Sequence, residues 1–460
     1  MTVPKLTHTL LPVYEKQIPF EVLSRTFADA ISVSRRLGIE YIWIDSLCII
    51  QDDPADWAVE AAELSSVYSG ASITIAAMAS ADGTGGCFKQ RESGEEVRLE
   101  TSAGLQSNMM LAFERNHDFD RFGETLYSSH SVPLARRKWF FQERMMSRRL
   151  VYYTAHELFW ECNTEVTCEC AKTNGSSNSK LRSQLKHDLP GYRLEDRMEY
   201  WKELVTMYSC MSLTFDSDTL PAFSAIARRF CDCGGGQYIA GLWRQALPYQ
   251  LCWHKDSDEL RFRKELSGER CKTRRVSQYG MPSWSWASVR GPVEFEIISF
   301  DRYDSGFNKY DPSCWDMRIV DVACEVDTFN EFGAVSKGEL EIDARGVETR
   351  IVERLRIDKE ETEERFTFSH GGTEGDGRHS ISIDVEDDYS DLLDAYVWLV
   401  LLRRVGDSGT RELESHGGWY LLFRETEDAR FRRIGFWRAP GHYAITEAVK
   451  ASGRREFTIV

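Results

Sequence analysis

A ten-residue run, Tyr41-Ile-Trp-Ile-Asp-Ser-Leu-Cys-Ile-Ile50, constrains the N-terminal part of this chain more than any other feature. Its start is almost continuously apolar, which suits a strand covered on both faces in a parallel sheet. Ser24–Leu37 precedes it and reads as a helix. Ser24 can cap it, Phe27, Ala30, Ile31, Ser34 and Leu37 recur at helical spacing, and Gly38 stops it. Behind the run, Asp52-Asp53-Pro54 supplies an acidic cap and a first-turn proline for a second helix that runs to about Ser69. Ala71–Ala77 reads as the next strand. Helix, strand, helix, strand implies a right-handed βαβ unit and an α/β class of fold.

The chain has 460 residues, enough for two to four domains at about 150 residues each. The polar stretch Lys172–Lys180, with its Asn-Gly-Ser-Ser core, is the best linker. Arg193–Met211 and Leu220–Phe230 are amphipathic, and beyond Pro282 the chain turns to short β-type runs such as Leu340–Ala344, Tyr396–Leu402 and Trp419–Phe423. The expected division is an α/β domain at 1–171, a linker at 172–192, a helical middle at 193–281 and a β-rich region at 282–460. The acidic stretch Glu360–Asp391 reads as a solvated loop or hairpin tip.

Composition excludes several function classes. Fifty-seven Lys and Arg against 73 Asp and Glu leave a net charge of −16, which argues against nucleic acid and anionic membrane as partners. The longest apolar runs, Ala71–Ala81 and Ala395–Leu402, are far shorter than the ~20 residues that span a bilayer. No signal-peptide pattern opens the chain, and 12 scattered Cys read as reduced thiols, so a cytoplasmic location is expected. Cys162-x5-Cys168-x-Cys170 and Cys231-x-Cys233 lack the paired spacing of a structural zinc site, so no metal is expected.

Three constellations carry the candidate chemistry. On the helix after Pro54, Trp57, Ala61, Leu64 and Tyr68 share one face, and Glu60 lies at its edge. A carboxylate there can have a raised pKa and serve acid–base or cation-stabilising chemistry, with Asp45 and Ser46 reaching the same rim from the end of the strand. The competing account pairs Glu60 with a basic residue and uses Asp45 as a turn cap. The second constellation, Arg136–Arg149, holds six basic residues and can bind an anion such as phosphate. Alternatively, Gln142, Glu143 and Arg144 form a buried network that locks two segments together. Third, Pro282-Ser-Trp-Ser-Trp-Ala-Ser288 alternates Trp and Ser, which on a strand puts both rings on one face, as a stacking platform or as packing.

Together these segments resemble a known family. Tyr41–Asp53, then Asp56-Trp57-x-x-Glu60 and Val67-Tyr68-x-x-Ala71, look like the core of the fungal heterokaryon incompatibility (HET) domain. Arg137-x-Trp139-x-x-Gln142-Glu143-Arg144 and Phe159-Trp160-Glu161-Cys162 continue the likeness, and Pro282–Ser288 resembles the region usual after that domain. The resemblance covers about residues 5–295. It implies a TIR-like, flavodoxin-like parallel sheet followed by a helical segment and a β-rich C-terminal part. The family usually begins with a strand carrying Ser-Tyr-Cys-Trp-Gly, absent before Lys5-Leu6-Thr7, so an α/β domain short of its first strand is expected.

What the resemblance implies for function is non-self recognition and programmed cell death in a fungal cytoplasm. Some TIR domains cleave NAD at the nicotinamide bond with a Glu in a Trp-x-x-Glu helix, the shape of Trp57-Ala-Val-Glu60. On that reading NAD is the substrate and no cofactor is required. Glu60, Asp45 and Glu143 are the catalytic candidates, with Trp57, Ser46, Arg144, His156 and Glu161 around the substrate. Two other readings stay open. One is a HET-like enzyme acting on a small molecule in secondary metabolism. The other is a non-catalytic scaffold that self-associates or engages another HET or NLR-type protein.

Overall fold

The structure is a computed structural model. It describes residues 3–90, 95–100, 106–111, 132–169, 179–256, 273–276, 280–296, 309–326, 330–356, 364–370, 373–374, 379–380, 382–384, 392, 395–405, 417–439 and 443–460. Two compact units result, Met1–Asp188 and Leu189–Val460. Both the helical middle and the β-rich region expected from the sequence fall in the second. Lys172–Asn178 of the expected linker, and much of Glu360–Asp391, lie outside the described residues.

In the first unit α1 spans Arg25–Arg36, with the Ser24 hydroxyl accepting from the Phe27 N–H and Ala30, Val33 and Ser34 buried. Gly38 ends it at φ 69°, a left-handed turn that glycine adopts without steric cost. The run that follows is not the expected strand. Residues 39–44 belong to no helix or strand, and Asp45–Cys48 (α2) is one helical turn. The Ile44 carbonyl accepts from the Leu47 and Cys48 N–H groups, which turns the chain out of extended geometry. Ile44 itself is still extended (φ −135°, ψ 118°). Among the described residues no strand pairs with residues 39–44, and without a ladder β-propensity alone does not make a strand.

The second expected helix is present. It is α3, Pro54–Gly70, whose N-cap Asp53 accepts from the Ala55 and Asp56 N–H groups. Its apolar face is less covered than the periodicity implies: Leu64 is its buried residue, and Trp57 is 36% exposed. Thr74–Ala76 (β1) follows, then an antiparallel hairpin of β2 (Glu95–Glu100) and β3 (Gln106–Leu111). After α4 (Lys138–Met146) come β4 (Arg149–Tyr153), β5 (Leu158–Cys162) and β6 (Val166–Cys168). The sheet order is β1-β4-β5-β6, with β1 parallel to β4 and the other two pairs antiparallel. The sheet is therefore mixed, with one parallel pair rather than the wholly parallel sheet expected. The unit closes with α5, Ser179–Ser183, which carries Arg182 into the interior.

The second unit begins with α6 (Leu194–Ser209) and α7 (Ser224–Asp232). Trp201 of α6 stands edge-on to Phe223, Phe230 and Trp243, centroids 5.1, 4.9 and 5.2 Å away. The Trp-Ser alternation at 282–288 does not form a strand. Its residues make a turn and a short 3-10 helix, capped by the Ser285 hydroxyl on the Ala287 N–H. Both Trp284 and Trp286 are buried, the latter donating to the Gly241 carbonyl at 2.7 Å. Gly241 has φ 90°, and a Cβ there would lie 2.8 Å from the Trp286 ring, so glycine is required twice over.

A short antiparallel pair, β7 (Trp253–Lys255) and β8 (Val293–Phe295), leads to a ten-stranded sheet. Its long strands are β9 (Arg318–Val326), β10 (Val335–Arg356), β11 (Glu364–His370), β12 (Tyr396–Val405), β13 (Gly417–Glu425) and β14 (Phe431–Ala439). Strands β11-β10-β12-β13-β14 pair in that order, all antiparallel. The first half of β10 also pairs with β9 and with β15 (Arg454–Ile459). One face is covered by α8 (Tyr443–Ala451). Its Val449 joins a core of Leu399, Leu401, Tyr420, Leu422 and Trp437, where each fully buried Leu contributes about 1.5–3 kcal/mol.

Candidate functional site

The first unit contains a cavity of about 1100 Å³. Residues 39–46 form one wall, Ile73–Ile75 another, and α1 (Phe27, Ala30, Ser34) and the C-terminal end of α3 (Val67, Tyr68, Gly70) close the sides. Arg137 and Glu143, at the start and middle of the α4 segment, complete it. The lining mixes apolar side chains with polar groups, Asp45, Ser46, Tyr68, Arg137 and Glu143 among them, and a site for a small molecule needs both.

Those polar groups interact. Burial pushes the Glu143 carboxyl up to about 7, with the Asp45 carboxylate adding to the rise and Arg137 and a Tyr68 hydrogen bond opposing it. Burial, and then the charges of Glu143 and Asp45, lift the Tyr68 phenol well above its ordinary range, so it stays a donor. The Tyr68 ring is in turn braced edge-on by Trp43, centroids 5.8 Å apart. Asp45 accepts from the Ser46 N–H at 2.7 Å, as a residue opening a helical turn does. The Ser46 hydroxyl is buried and has no hydrogen-bond partner among the described residues, although it lines the cavity. A buried hydroxyl left unpaired costs about 1–3 kcal/mol, which a ligand polar group can recover.

Glu143 gives a pH-dependent stability with a definite sign. Its carboxyl binds a proton more tightly folded than unfolded, so its contribution favours the fold most below pH 4.5, the ordinary carboxyl value. That contribution falls as pH rises from 4.5 to about 7 and is flat above. Urea midpoints measured across this range are expected to fall less in Glu143→Gln than in the parent protein. Parallel profiles would refute the assignment.

The other sequence candidates are distributed differently. Glu60 does not line the cavity. It sits half-buried on α3, six residues before Ser66, where the cavity lining on that helix begins. That is about 9 Å along the axis. Burial and the charges of Asp56 and Glu63 raise its pKa, and it makes no ion pair among the described residues. Trp57 packs edge-on against Trp139 at 6.2 Å rather than facing the cavity. Arg144 and Glu161 meet away from it, inside the unit. Arg144 donates from Nη2 to Glu161 Oε1 at 3.0 Å and from Nε to Oε2 at 3.1 Å, Tyr152 donates to the same carboxylate, and Arg182 pairs with it at 3.3 Å. Burial draws Glu161 upward, but Arg144 and Arg182 outweigh it and hold the carboxyl below its ordinary value. His156 is exposed in the β4–β5 turn.

The cavity thus unites Asp45, Ser46 and Glu143 from the sequence candidates and adds Tyr68 and Arg137. Tyr68 and Arg137 stood in the motifs Val67-Tyr68-x-x-Ala71 and Arg137-x-Trp139 and in the apolar stripe and basic segment, but no pattern there gave either a place at the site. Among the described residues, no group of His, Cys, Asp and Glu is arranged to hold a metal ion, and no helix is long and apolar enough to cross a membrane. Residues 8–143 match the family model described as Heterokaryon incompatibility protein (HET), a span that ends on Glu143 itself. No curated protein and no solved structure matches the chain.

Proposed function

We propose that this chain, which carries a heterokaryon incompatibility domain over residues 8–143, acts in fungal incompatibility and cell death by hydrolysing the nicotinamide bond of NAD in the Asp45–Glu143 cavity. The observation that supports this is the placement of Asp45, Glu143, Tyr68 and Arg137 on the wall of one cavity of about 1100 Å³, large enough for a dinucleotide. Glu60 is not the working carboxylate in this reading, because it lies outside that lining.

The chemistry needs little. The ribose C1′–N bond breaks, nicotinamide leaves neutral with the bonding pair, and positive charge develops at C1′. A carboxylate beside that carbon stabilises it, a role for Asp45. Water then forms the C1′–O bond and gives up a proton. Glu143, with a proton affinity near the working pH, is matched to accept that proton and release it to solvent. Arg137 is suited to the pyrophosphate and Ser46 to a ribose hydroxyl. The free thiols of Cys48 and Cys87 agree with a cytoplasmic setting in this reading.

Nicotinamide release from NAD by the purified chain tests the reading. Glu143→Gln and Asp45→Asn are each expected to slow it by about 100-fold or more, while Glu60→Gln stays within about twofold. No release by the parent protein sinks the proposal. Loss in Glu60→Gln with retention in Glu143→Gln moves the chemistry to α3.

A further inference from the structure

Two walls of the cavity in the first unit are runs of consecutive residues. Residues 39–46 line it without a gap on one side, and residues 70–75 do so on the other. In extended chain successive side chains point to opposite faces, so a space that touches every residue in turn lies against the backbone edge. Both edges are open. Among the described residues, the N–H groups of residues 40–44 and the carbonyls of residues 40–43 have no hydrogen-bond partner. On the other wall β1 ends its sheet, and among the described residues it pairs with β4 alone.

The side chains along these edges divide by face. Trp43 packs edge-on against Tyr68 of α3, and the Thr74 hydroxyl bonds that of Ser147, at the end of α4, at 2.8 Å. Glu143, hydrogen-bonded to Tyr68, and Arg137 belong to the same polar face. The residues that alternate with Trp43 and Thr74 are Ile42, Ile44, Ile73 and Ile75, which point the other way and are apolar. Six residues of open edge span about 20 Å, the length of an ordinary strand. An open ladder on each side, an apolar row on one face and a polar row on the other are the complement of a β-strand. Water satisfies single backbone groups, but it leaves the apolar row uncovered.

We propose that the slot between residues 39–46 and β1 takes up an extended segment of a partner protein by strand addition. Main-chain hydrogen bonds to the two open edges supply the affinity, and the two rows of side chains supply the selectivity. The segment that fits has about six residues. It is apolar at alternate positions, to cover the four isoleucines. Threonine or serine stands between them, to meet Tyr68, Thr74 and Arg137. Proline is excluded, because it lacks the N–H that a ladder needs. Acidic residues are disfavoured, because Asp45 and Glu143 already stand on the polar face. A strand in the slot and a dinucleotide exclude each other, so such a partner switches the proposed hydrolysis off. That consequence rests on the reading given above, whereas the binding does not.

Titration of the full chain with a capped, fluorescein-labelled peptide, Lys-Thr-Val-Thr-Val-Thr-Val-Lys, tests the slot by anisotropy and by amide hydrogen exchange. The terminal lysines keep the peptide soluble. NAD is left out, so this result and the nicotinamide assay are independent. Saturable binding is expected. Exchange at residues 40–44, fast in the free protein because their N–H groups are unpaired, is expected to slow by about tenfold or more on saturation. Methylating the three valine amide nitrogens removes the donors along one edge of the peptide, and is expected to weaken binding by about tenfold or more. Serine in place of the three valines keeps the backbone, loses the apolar row, and is expected to weaken it by a similar factor. Absence of saturable binding, equal affinity of the methylated or the serine peptide, or unchanged exchange at residues 40–44 overturns the proposal. Every arm uses the parent chain, so no variant has to fold for the test to decide.

Discussion

Glu161→Ala is expected to destabilise the first unit by about 3–5 kcal/mol, the range found when one partner of a buried ion pair is removed. Glu161 is fully buried and supplies the acceptor oxygens for Arg144, Tyr152 and Arg182, which are themselves 3%, 0% and 0% exposed. Without it two buried guanidinium groups lose the carboxylate they share, next to Lys186. The network also ties α4, β4, β5 and α5 together, so its loss is felt across the unit. Glu161→Gln keeps the shape and fails almost as badly, because the charge is what the arginines need. Replacing the set together, Arg144→Met, Glu161→Leu and Arg182→Met, is expected to recover much of the loss, since none of these three charges is then buried. Acid titration gives a second signature. The Glu161 pKa is depressed, so its stabilisation is complete above the ordinary carboxyl value of 4.5 and is lost as pH falls below it. The alanine variant lacks that acid limb. Urea unfolding, with hydrogen exchange at the β4 and β5 amides, measures both, and a loss under about 1 kcal/mol would reduce the network to the worth of a surface pair.

Local signals in the sequence marked helices more faithfully than strands, and the reason is physical. Ser24 and Asp53 cap their helices through bonds made within four residues, so α1 and α3 needed no distant partner to be legible. Tyr41–Ile44 has the composition of a buried strand, but a strand exists only when another supplies its ladder. The Trp-Ser alternation failed for a related reason. Ser285 spends its hydroxyl on the Ala287 N–H and the Ala240 carbonyl, which favours a turn over a strand. Periodicity also placed Glu60 beside a buried face that is only partly buried, and could not see that the cavity opens two turns further along α3. Asp45, Ser46 and Glu143 were found because they lie in motifs. Their convergence with Tyr68 and Arg137 depends on contacts between segments some 70 residues apart in sequence, which no local pattern records.

Arg433 is expected to do for the second unit what Glu161 does for the first. It is fully buried on β14. Its Nε donates to Asp384 Oδ2 at 3.1 Å, its Nη1 to the Leu251 carbonyl at 2.6 Å, and its Nη2 to the Trp253 carbonyl and to Asp384 Oδ1. The guanidinium also lies 3.6 Å from the centroid of the Trp253 ring. One side chain therefore joins the large sheet, the Ser382–Asp384 segment and the chain entering β7. Arg433→Ala removes the donor from two buried carbonyls and leaves the Asp384 carboxylate facing, among the described residues, Arg275 alone at 3.8 Å, so a loss of about 3–5 kcal/mol is expected. Arg433→Lys retains the charge but cannot fork between carboxylate and carbonyls or stack on the indole, and is expected to lose more than half as much. Asp384→Asn added to Arg433→Ala is expected to recover part of the loss, because an amide is cheaper to bury than an unpaired carboxylate. Urea unfolding of the four proteins measures these terms. Near-equal stability of the parent and Arg433→Lys would mean that charge alone suffices, and that the planar fork on which this account of the second unit rests contributes little.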